Sequence, residues 1–133
     1  MKLNPDCIRD ILITLEGYTG FNTIIRLSSS DMLGLEEKYS YEEIRYHLRQ
    51  CDWSGMVVDL SWNLSGDCTI RDISPKGHEF IANIRKDTVW NGVKSVAHKV
   101  GSTSLSALVQ ISSAVIAELI KSQFIINPYQ TNV

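Results

Sequence analysis

The sequence predicts an α+β fold that is mainly helical, with a small β-hairpin near the middle and a helical extension at the C-terminus. Three observations carry this prediction. An amphipathic helix begins after Ser40 and stops near Gly55. Two strand-like runs, 56–62 and 67–73, follow it and are separated by a short polar loop. Apolar residues then recur at helical spacing as far as about residue 126.

The composition indicates a chain long enough for one soluble domain with its own core. It has 133 residues, of which 44% are hydrophobic and 21% charged, and these proportions are ordinary for a globular protein. The first ten residues lack the apolar stretch of a signal peptide, so we expect a cytoplasmic protein. Cys7, Cys51 and Cys68 form no C-x-x-C pair, so we expect three free thiols in or near the core.

The first predicted helix begins after Asn4, which is a suitable N-cap, and Pro5 is favoured at the first helical position because its missing N–H needs no partner there. The buried stripe of this helix is Ile8, Ile11, Leu12 and Leu15. Residues 21–27 have β-type composition and predict a short strand that pairs with the later hairpin. Residues 30–38 predict a short helix, which gives helix-turn-helix order with the next one.

The central helix is predicted from an S-x-x-E capping box, in which Ser40 and Glu43 bond reciprocally to each other's backbone amides. Its apolar residues recur at spacings of three and four, and they are Tyr41, Ile44, Leu48 and Cys51. The opposite face consists of Glu42, Tyr46, Arg49, Gln50 and Trp53. Gly55 suits the left-handed position after a helix. We expect His47, near the edge of the apolar face, to be structural.

The segment after the central helix is predicted to be a hairpin followed by helices. Residues 63–66, Asn-Leu-Ser-Gly, suit the hairpin loop. Ser74 and Pro75 repeat the cap-then-proline start of a helix, whose buried stripe is Phe80, Ile81 and Ile84. Asp87 is expected to cap a further helix that ends at Gly101. The apolar positions of that helix are Trp90, Val93, Val96, Ala97 and Val100.

The last predicted helix, from about residue 104 to 126, is expected to act in packing or dimerisation. The residues expected to form a homodimer interface are Leu105, Leu108, Val109, Ser112, Val115, Ile116 and Leu119. The helix is long enough to cross a membrane, but Glu118, Lys121 and several serines argue against this, because each ionisable group in hydrocarbon costs roughly 2.5–3.5 kcal/mol. We therefore expect no membrane contact.

Two segments resemble winged helix-turn-helix regulators. Residues 46–57, YHLRQCDWSGMV, resemble the H-L-x-x-L-x-x-x-G-L-V signature in which a recognition helix ends at glycine before a β-hairpin, the wing. Residues 73–81, ISPKGHEFI, resemble the L-T-x-x-G-x-x-x-L segment that follows the wing. The resemblance implies a winged helix-turn-helix domain over residues 1–86, a C-terminal helical extension over 87–126, and a tail over 127–133.

A narrower resemblance covers most of the chain up to about residue 120. The stretches MKLNPDCIRDIL, YEEIRYHLRQCDWSGM and SPKGHEFIANIRKDTVW are similar to a bacterial and prophage winged-helix family of unknown function. This resemblance implies a cytoplasmic protein, often associated with phage, and supplies no catalytic residues. The chain departs from the regulator pattern at Cys51, where leucine is usual, and at the acidic Glu42 and Glu43.

The charge distribution disfavours simple electrostatic binding of nucleic acid. The first 60 residues contain six Lys or Arg against ten Asp or Glu, a net charge of −4, whereas the remainder has a net charge of +2. The central helix therefore lies in the acidic part of the chain. Phosphate neutralisation supplies most non-specific DNA affinity, so this helix needs locally placed basic groups if it binds DNA.

Motifs for catalysis or for binding cofactors and metals are not found in the sequence. There is no G-x-S-x-G, P-loop or dinucleotide-binding fingerprint. His47, His78 and His98 do not lie at close ligand spacing with one another or with the cysteines. We therefore expect no enzymatic activity, no cofactor and no metal.

Two functions remain open, and both use the outward face of the central helix. The first is a DNA-binding transcriptional regulator of phage or prophage type; the second is a protein-interaction module, such as a phage-encoded inhibitor of a host defence or transcription protein. The residues expected to bind DNA or a partner are Glu42, Arg45, Tyr46, Arg49, Gln50 and Trp53. From the wing, the expected contributors are Trp62, Asn63, Ser65 and Arg71. Lys38 and Arg45, with Arg71, are expected to meet phosphates.

Overall fold

The computed structural model of the protein describes residues 1–126, so the predicted tail at 127–133 lies outside the described residues. The fold is α+β and mainly helical, with small antiparallel sheets. The chain divides into two compact units, one spanning Met1–Ala82 and a second that begins at Asn83. The first unit contains the central helix and the hairpin, and the second contains the last two helices.

Helix α1, Pro5–Glu16, begins as the sequence predicts. The side chain of Asn4 accepts hydrogen bonds from the backbone amides of Asp6 and Cys7, which caps the first turn. The predicted apolar stripe is buried, with Cys7 as a further member. This stripe packs α1 against helix α2, Tyr41–Trp53, and so forms the centre of the first unit.

The strands form two small antiparallel sheets. Strand β1, Ile25–Leu27, pairs with β4, Cys68–Ile70, which also pairs with β3, Ser61–Trp62. Strands β2 and β5 form the second pair, and they span Val57–Val58 and Asp72–Ile73. The predicted pairing of the first strand with the hairpin is therefore confirmed. The hairpin is divided near Asp59, whose φ of 52° interrupts the extended backbone.

The helix predicted over residues 30–38 is wrong, because the structure has only a three-residue 3-10 helix, Leu35–Glu37. Leu33 and Gly34 have positive φ values of 60° and 89°, which an α-helix cannot include. The carboxylate of Asp31 accepts a hydrogen bond from the backbone amide of Leu33 and stabilises this alternative turn. The element preceding α2 is consequently one tight turn.

Helix α2 has the predicted glycine after its C-terminus and one of the two bonds of the predicted capping box, since the Glu43 side chain does not bond to the amide of Ser40. The hydroxyl of Ser40 accepts a hydrogen bond from the amide of Glu43 at 3.1 Å. Gly55, two residues after the helix, has a φ of 74°, the left-handed conformation that glycine adopts without a steric penalty. The residues buried by this helix are Ile44, His47, Leu48 and Cys51. Tyr41, predicted on the same face, is only half-buried.

Helix α3, Pro75–Ile84, is joined tightly to the end of α2. The hydroxyl of Ser74 donates to the carbonyl of Gly55 and accepts from the amide of Gly77, so one side chain links two elements. A Cβ at Gly77 would lie 2.2 Å from the carbonyl oxygen of Met56. Glycine is therefore required at residue 77 for this close approach.

The second unit consists of helices α4, Asp87–Val100, and α5, Leu105–Ile126, which pack against each other. The expected cap at Asp87 is wrong, because Lys86 occupies the N-cap position and Asp87 is already helical. Trp90, Val93 and Ala97 are buried as predicted. The remaining predicted apolar positions of α4, Val96 and Val100, are exposed.

The apolar stretch Leu105–Phe124 of α5 is the one span among the described residues that is long and apolar enough to cross a membrane. Its mean hydropathy is 1.4, and 17% of it is buried. Core helices of soluble proteins meet the same criterion of length and composition, so this property alone assigns no membrane span. The expectation of no membrane contact stays a prediction.

All three cysteines are free and buried, as predicted. Burial raises the pKa of the Cys7 thiol to about 12, with Glu43 and Asp10 adding to the effect. Desolvation likewise raises the pKa of Cys68 to about 11 and raises the pKa of Cys51. Thiolates are disfavoured in this core, so these cysteines act as small apolar residues.

Candidate interaction surface of helix α2 and the hairpin

Arg45 lies between two aromatic rings at the junction of α2 and the hairpin. Its guanidinium carbon is 5.1 Å from the ring centroid of Tyr41 and 5.5 Å from that of Trp62. Tyr41 precedes Arg45 by about one helical turn, and Trp62 comes from β3 of the hairpin. Cation–π contacts on both sides hold the guanidinium in place and restrict its side-chain rotamers.

Arg49 repeats this arrangement one turn further along α2. Its guanidinium carbon is 5.6 Å from the ring of Tyr46 and 4.9 Å from the ring of Trp53. Spacings of three and four residues place side chains on one helix face. The outward face of α2 is therefore a row of alternating arginines and aromatic rings.

The hairpin loop is fixed against this row at Gly66. The hydroxyl of Tyr41 donates to the carbonyl oxygen of Gly66 at 3.3 Å. A Cβ at Gly66 would lie 2.9 Å from Nη2 of Arg45, and its φ of 90° is in the range that favours glycine. The glycine thus allows the guanidinium to approach the loop backbone.

A cavity of about 380 Å³ opens between α2 and the hairpin. Its lining residues are Met1, Glu42, Arg45, Tyr46, Arg49 and Trp62. Five of these were predicted site residues, and the structure brings them together. Met1 was missed, because nothing in the sequence signals that the N-terminus reaches this part of α2.

The basic groups of the cavity are not neutralised by the protein itself. Within residues 1–126, no carboxylate lies within 4 Å of the guanidinium of Arg45 or Arg49, although Glu42 lines the same cavity. Nε of Arg45 is buried and has no hydrogen-bond partner in that part of the chain. Buried N–H groups normally have an acceptor, so the environment of this guanidinium is incompletely satisfied within the described chain.

Two predicted residues of α2 lie outside the cavity. Trp53 is 70% exposed at the C-terminal end of the helix and contacts Arg49 from there. Gln50 is half-buried and does not line the cavity. The predicted surface is therefore two adjacent parts, a cavity at the hairpin and an exposed indole one turn beyond it.

The predicted hairpin residues separate into different roles. The side chain of Asn63 accepts from the amides of Ser65 and Asp67 and from the hydroxyl of Ser65, which makes it the organiser of the loop. Trp62 alone of the four predicted residues lines the cavity. Arg71 is exposed but does not reach it.

Lys38, expected to meet phosphate, is instead engaged within the protein. Its ammonium group lies 2.9 Å from a carboxylate oxygen of Asp10 on α1. The hydrogen bond and the charge of Asp10 raise the pKa of Lys38. The hydroxyl of Tyr39 donates to the same carboxylate. This cluster joins α1 to the turn before α2 and is structural.

His47, which the sequence predicts to be structural, is fully buried in α2. Its Nε2 accepts from the backbone amide of Asn4 at 2.8 Å, and its Nδ1 lies 2.7 Å from the carbonyl oxygen of Glu43. Both ring nitrogens of His47 therefore have hydrogen-bond partners.

In residues 1–126, no group of three or more His, Cys, Asp or Glu is placed to hold a metal ion.

The predicted dimerisation residues of α5 are divided between core and surface. Leu105, Leu108 and Ser112 are already buried within the chain, so they cannot contact a second copy in this conformation. Val109, Val115 and Ile116 are half-buried, and Leu119 is 45% exposed. An apolar groove of about 560 Å³ remains on the surface of the second unit. Its lining residues are Val96, Ile111, Ala114, Val115, Glu118, Leu119 and Ser122.

Comparisons with known proteins agree with the predicted membership of a family of unknown function. Residues 2–104 match the model of a family described as "Hypothetical protein (DUF2513)". A Haemophilus influenzae protein named "Uncharacterized protein" is 27% identical over 135 residues, covering 90% of this chain and 99% of that protein. No solved structure matches the chain significantly. The family match includes α2, the hairpin and the whole cavity lining except Met1.

Proposed function

Because the chain belongs to the DUF2513 family, whose description names no reaction or ligand, we propose a function from the geometry: the surface of α2 and the hairpin is the DNA-binding face of a winged helix-turn-helix protein. In this proposal α2 is the recognition helix and the hairpin, residues 57–73, is the wing. The protein acts as a small transcriptional regulator. The cytoplasmic location and the phage or prophage setting belong to the same proposal.

The order of the elements supports the winged-helix part of the proposal. Helix α2 is followed directly by the hairpin, and β4 lies between β1 and β3 in the three-stranded sheet. The segment before α2 departs from this order, because a three-residue 3-10 helix stands where a helix was expected. A recognition helix needs an exposed outward face, which α2 retains along Glu42, Arg49 and Trp53.

The single observation that carries the DNA-binding proposal is the pair Arg45 and Arg49. Both guanidiniums lie on one face of α2, are held by aromatic rings, and have no carboxylate partner in the described part of the chain. Arginines in this state are ready to bind phosphate or the edge of guanine. They supply the local positive charge that the acidic first unit otherwise lacks.

The individual roles follow from position. Arg45 and Arg49, which line the cavity at the hairpin, are suited to phosphate, whereas Tyr46 and Gln50 are assigned to base edges in the major groove. Arg71 contributes to phosphate binding from the hairpin. Lys38 is not among the proposed phosphate-binding residues, because its ammonium group forms an ion pair with Asp10.

We also propose a homodimer formed through α5. Its support is the apolar groove of the second unit and the exposed side chain of Leu119. Two copies would present two recognition helices, and dimeric regulators of this class place them about 34 Å apart on successive major grooves. The proposed interface includes Val96 and Leu119 and excludes the start of α5, where the predicted interface residues are buried.

A second candidate function is supported by Trp53. An indole that is 70% exposed beside an arginine is the composition found at energetically dominant positions of protein interfaces. Under this alternative the same face binds a host or phage protein, and no DNA is involved. Trp53→Ala would then abolish partner capture, and Arg49→Ala would have the smaller effect.

The experiment that tests the main proposal is a fluorescence-anisotropy titration of labelled random duplex DNA. Phosphate contacts displace condensed cations, so affinity must fall as salt rises. Arg49→Ala should weaken binding, with Arg26→Ala as the control, because Arg26 is an exposed arginine on β1 outside the cavity. Absence of salt-dependent binding even at low ionic strength would exclude the DNA-binding proposal.

A further inference from the structure

We propose that the cavity between α2 and the hairpin is a dedicated seat for one phosphate group, which Arg45 and Arg49 bind together. The inference rests on the proposed function, since the phosphate it would receive there is one from the DNA backbone. It adds a specific claim, which is that a discrete, preformed anion site exists in the protein before DNA binds. The rest of the α2 face would then be positioned relative to that one phosphate.

Contacts within the protein hold the guanidinium of Arg45 in place before any ligand binds. Its guanidinium is enclosed by Tyr41, Trp62 and the backbone of Gly66. A side chain held in this way loses little further conformational entropy when it binds, so more of the interaction energy appears as affinity. The tyrosine hydroxyl is itself bonded to Gly66, which fixes the loop in the same position.

The guanidiniums of Arg45 and Arg49 have no carboxylate partner among residues 1–126. Nε of Arg45 is enclosed without an acceptor in the same residues. Arg49, one helical turn away, lines the same cavity and also has no carboxylate partner there. Two arginines that line one cavity can donate to different oxygens of a single phosphate.

The cavity is large enough for a phosphate group. Its volume is about 380 Å³, which corresponds to roughly a dozen water molecules at about 30 Å³ each. This exceeds the volume of a bare carboxylate and is sufficient for a phosphate with part of its attached sugar. The cavity is open to solvent at α2, where Glu42 and Arg49 are exposed.

Glu42 lowers the affinity of the site for an anion. Its carboxylate lines the cavity without pairing with either arginine, so it repels an anion that approaches from its side. The phosphate is therefore directed toward Arg45 and the hairpin. Removing this charge with the isosteric change Glu42→Gln should strengthen phosphate binding several-fold, because a like charge near the site is lost.

The direct test uses inorganic phosphate and the side-chain Nε–H signals of arginine in a 15N–1H correlation spectrum of the full chain. We expect a saturable shift of the Arg45 signal with added phosphate at constant ionic strength. Arg49→Ala should weaken this binding by roughly tenfold or more, since a charge-assisted hydrogen bond is lost. Arg26→Ala should leave it unchanged, and backbone spectra of each variant report whether the fold is intact.

Three outcomes would overturn the phosphate seat. The first is the absence of a saturable shift of the Arg45 signal. The second is an equal response to sodium acetate, which would indicate a site that binds carboxylates as well as phosphate. The third is unaltered phosphate binding in Arg49→Ala. Duplex DNA separates this failure from failure of the proposed function. If DNA binds with a salt slope that Arg49→Ala does not reduce by about 1, the seat is wrong and DNA binding stands. Phosphate binding without DNA binding would reject the proposed function and leave an anion site with another physiological source.

Discussion

The backbone amide of Asn4 donates a hydrogen bond of 2.8 Å to Nε2 of His47, so the start of α1 is joined to the middle of α2. The same residue caps α1 with its side chain, while its amide binds the imidazole. Nδ1 of His47 then donates to the carbonyl oxygen of Glu43. One buried histidine therefore determines how α1 lies against the helix that carries the candidate site.

Replacing His47 by alanine should destabilise the protein by about 2–4 kcal/mol, because the amide of Asn4 loses its acceptor and a cavity opens in the core. The measurement is urea unfolding followed by circular dichroism. His78→Ala is the matched control, since His78 is exposed on α3. Equal stability of the two variants would contradict the structural role of His47.

Two glycines in helices provide a paired prediction of opposite sign. Gly77→Ala should destabilise by roughly 1–3 kcal/mol or more, because the new Cβ would lie 2.2 Å from the carbonyl oxygen of Met56. Gly92→Ala should stabilise by about 0.5–1 kcal/mol, since, apart from its chain neighbours and the nearby backbone of α4, no heavy atom of the described residues lies within 4 Å of the added Cβ. Thermal unfolding of both variants checks the pair, and destabilisation by Gly92→Ala would contradict the account of α4.

Alkaline conditions should destabilise the protein. Burial raises the pKa of Cys7 to about 12 and that of Cys68 to about 11, from an ordinary value of 9.0, and desolvation also raises the pKa of Cys51 and Tyr39. The folded chain therefore retains protons that the unfolded chain releases above pH 9. This stabilising contribution is complete below pH 9 and is lost as the pH rises toward 11–12.

Urea unfolding at pH 8 and at pH 10.5 measures this effect. The free energy of unfolding should be lower at pH 10.5, and Cys51→Ala should show a smaller difference between the two conditions, because one raised thiol is absent. Thiol labelling gives a second readout, since the native protein should react slowly until it unfolds. Equal stability at both pH values would show that burial does not perturb these groups.

The proposed dimer predicts that Leu119→Glu shifts the protein to monomer. The change places a charge in the apolar groove that Leu119 lines with Val96 and Ile111, where it would be desolvated by a second copy. Ser106→Glu is the control, because Ser106 is exposed on α5 outside the groove. Size-exclusion chromatography with light scattering gives the mass, and a monomeric wild type at high concentration would reject the dimer.

Local signals in the sequence predicted much of the fold. The capping residues Asn4, Ser40 and Ser74 mark helix starts that the structure confirms, since each satisfies an amide within a few residues. The hairpin and its loop were also predicted, because Asn63 and Gly66 have a turn chemistry that depends on neighbouring residues alone.

The sequence did not predict one local turn or the contacts that join distant parts of the chain. A turn at Leu33 and Gly34 stands where a helix was expected, and Asp31 stabilises it through a local hydrogen bond. The composition of this segment is compatible with a helix, so it gave no sign of the turn. The contact of Arg45 with Trp62 joins residues 17 apart in sequence. In α5, periodicity identified an apolar face and did not show that Leu108 is buried while Leu119 is exposed.

The most direct test of the proposed function is the titration of wild-type protein with random duplex DNA at about 50 mM and about 200 mM salt. If Arg45 and Arg49 bind one phosphate and Arg71 meets a second, affinity should fall by roughly tenfold between the two conditions, as expected for about two neutralised phosphates. Binding that is absent at both salt concentrations, or that does not change between them, would contradict DNA recognition by the surface of α2 and the hairpin.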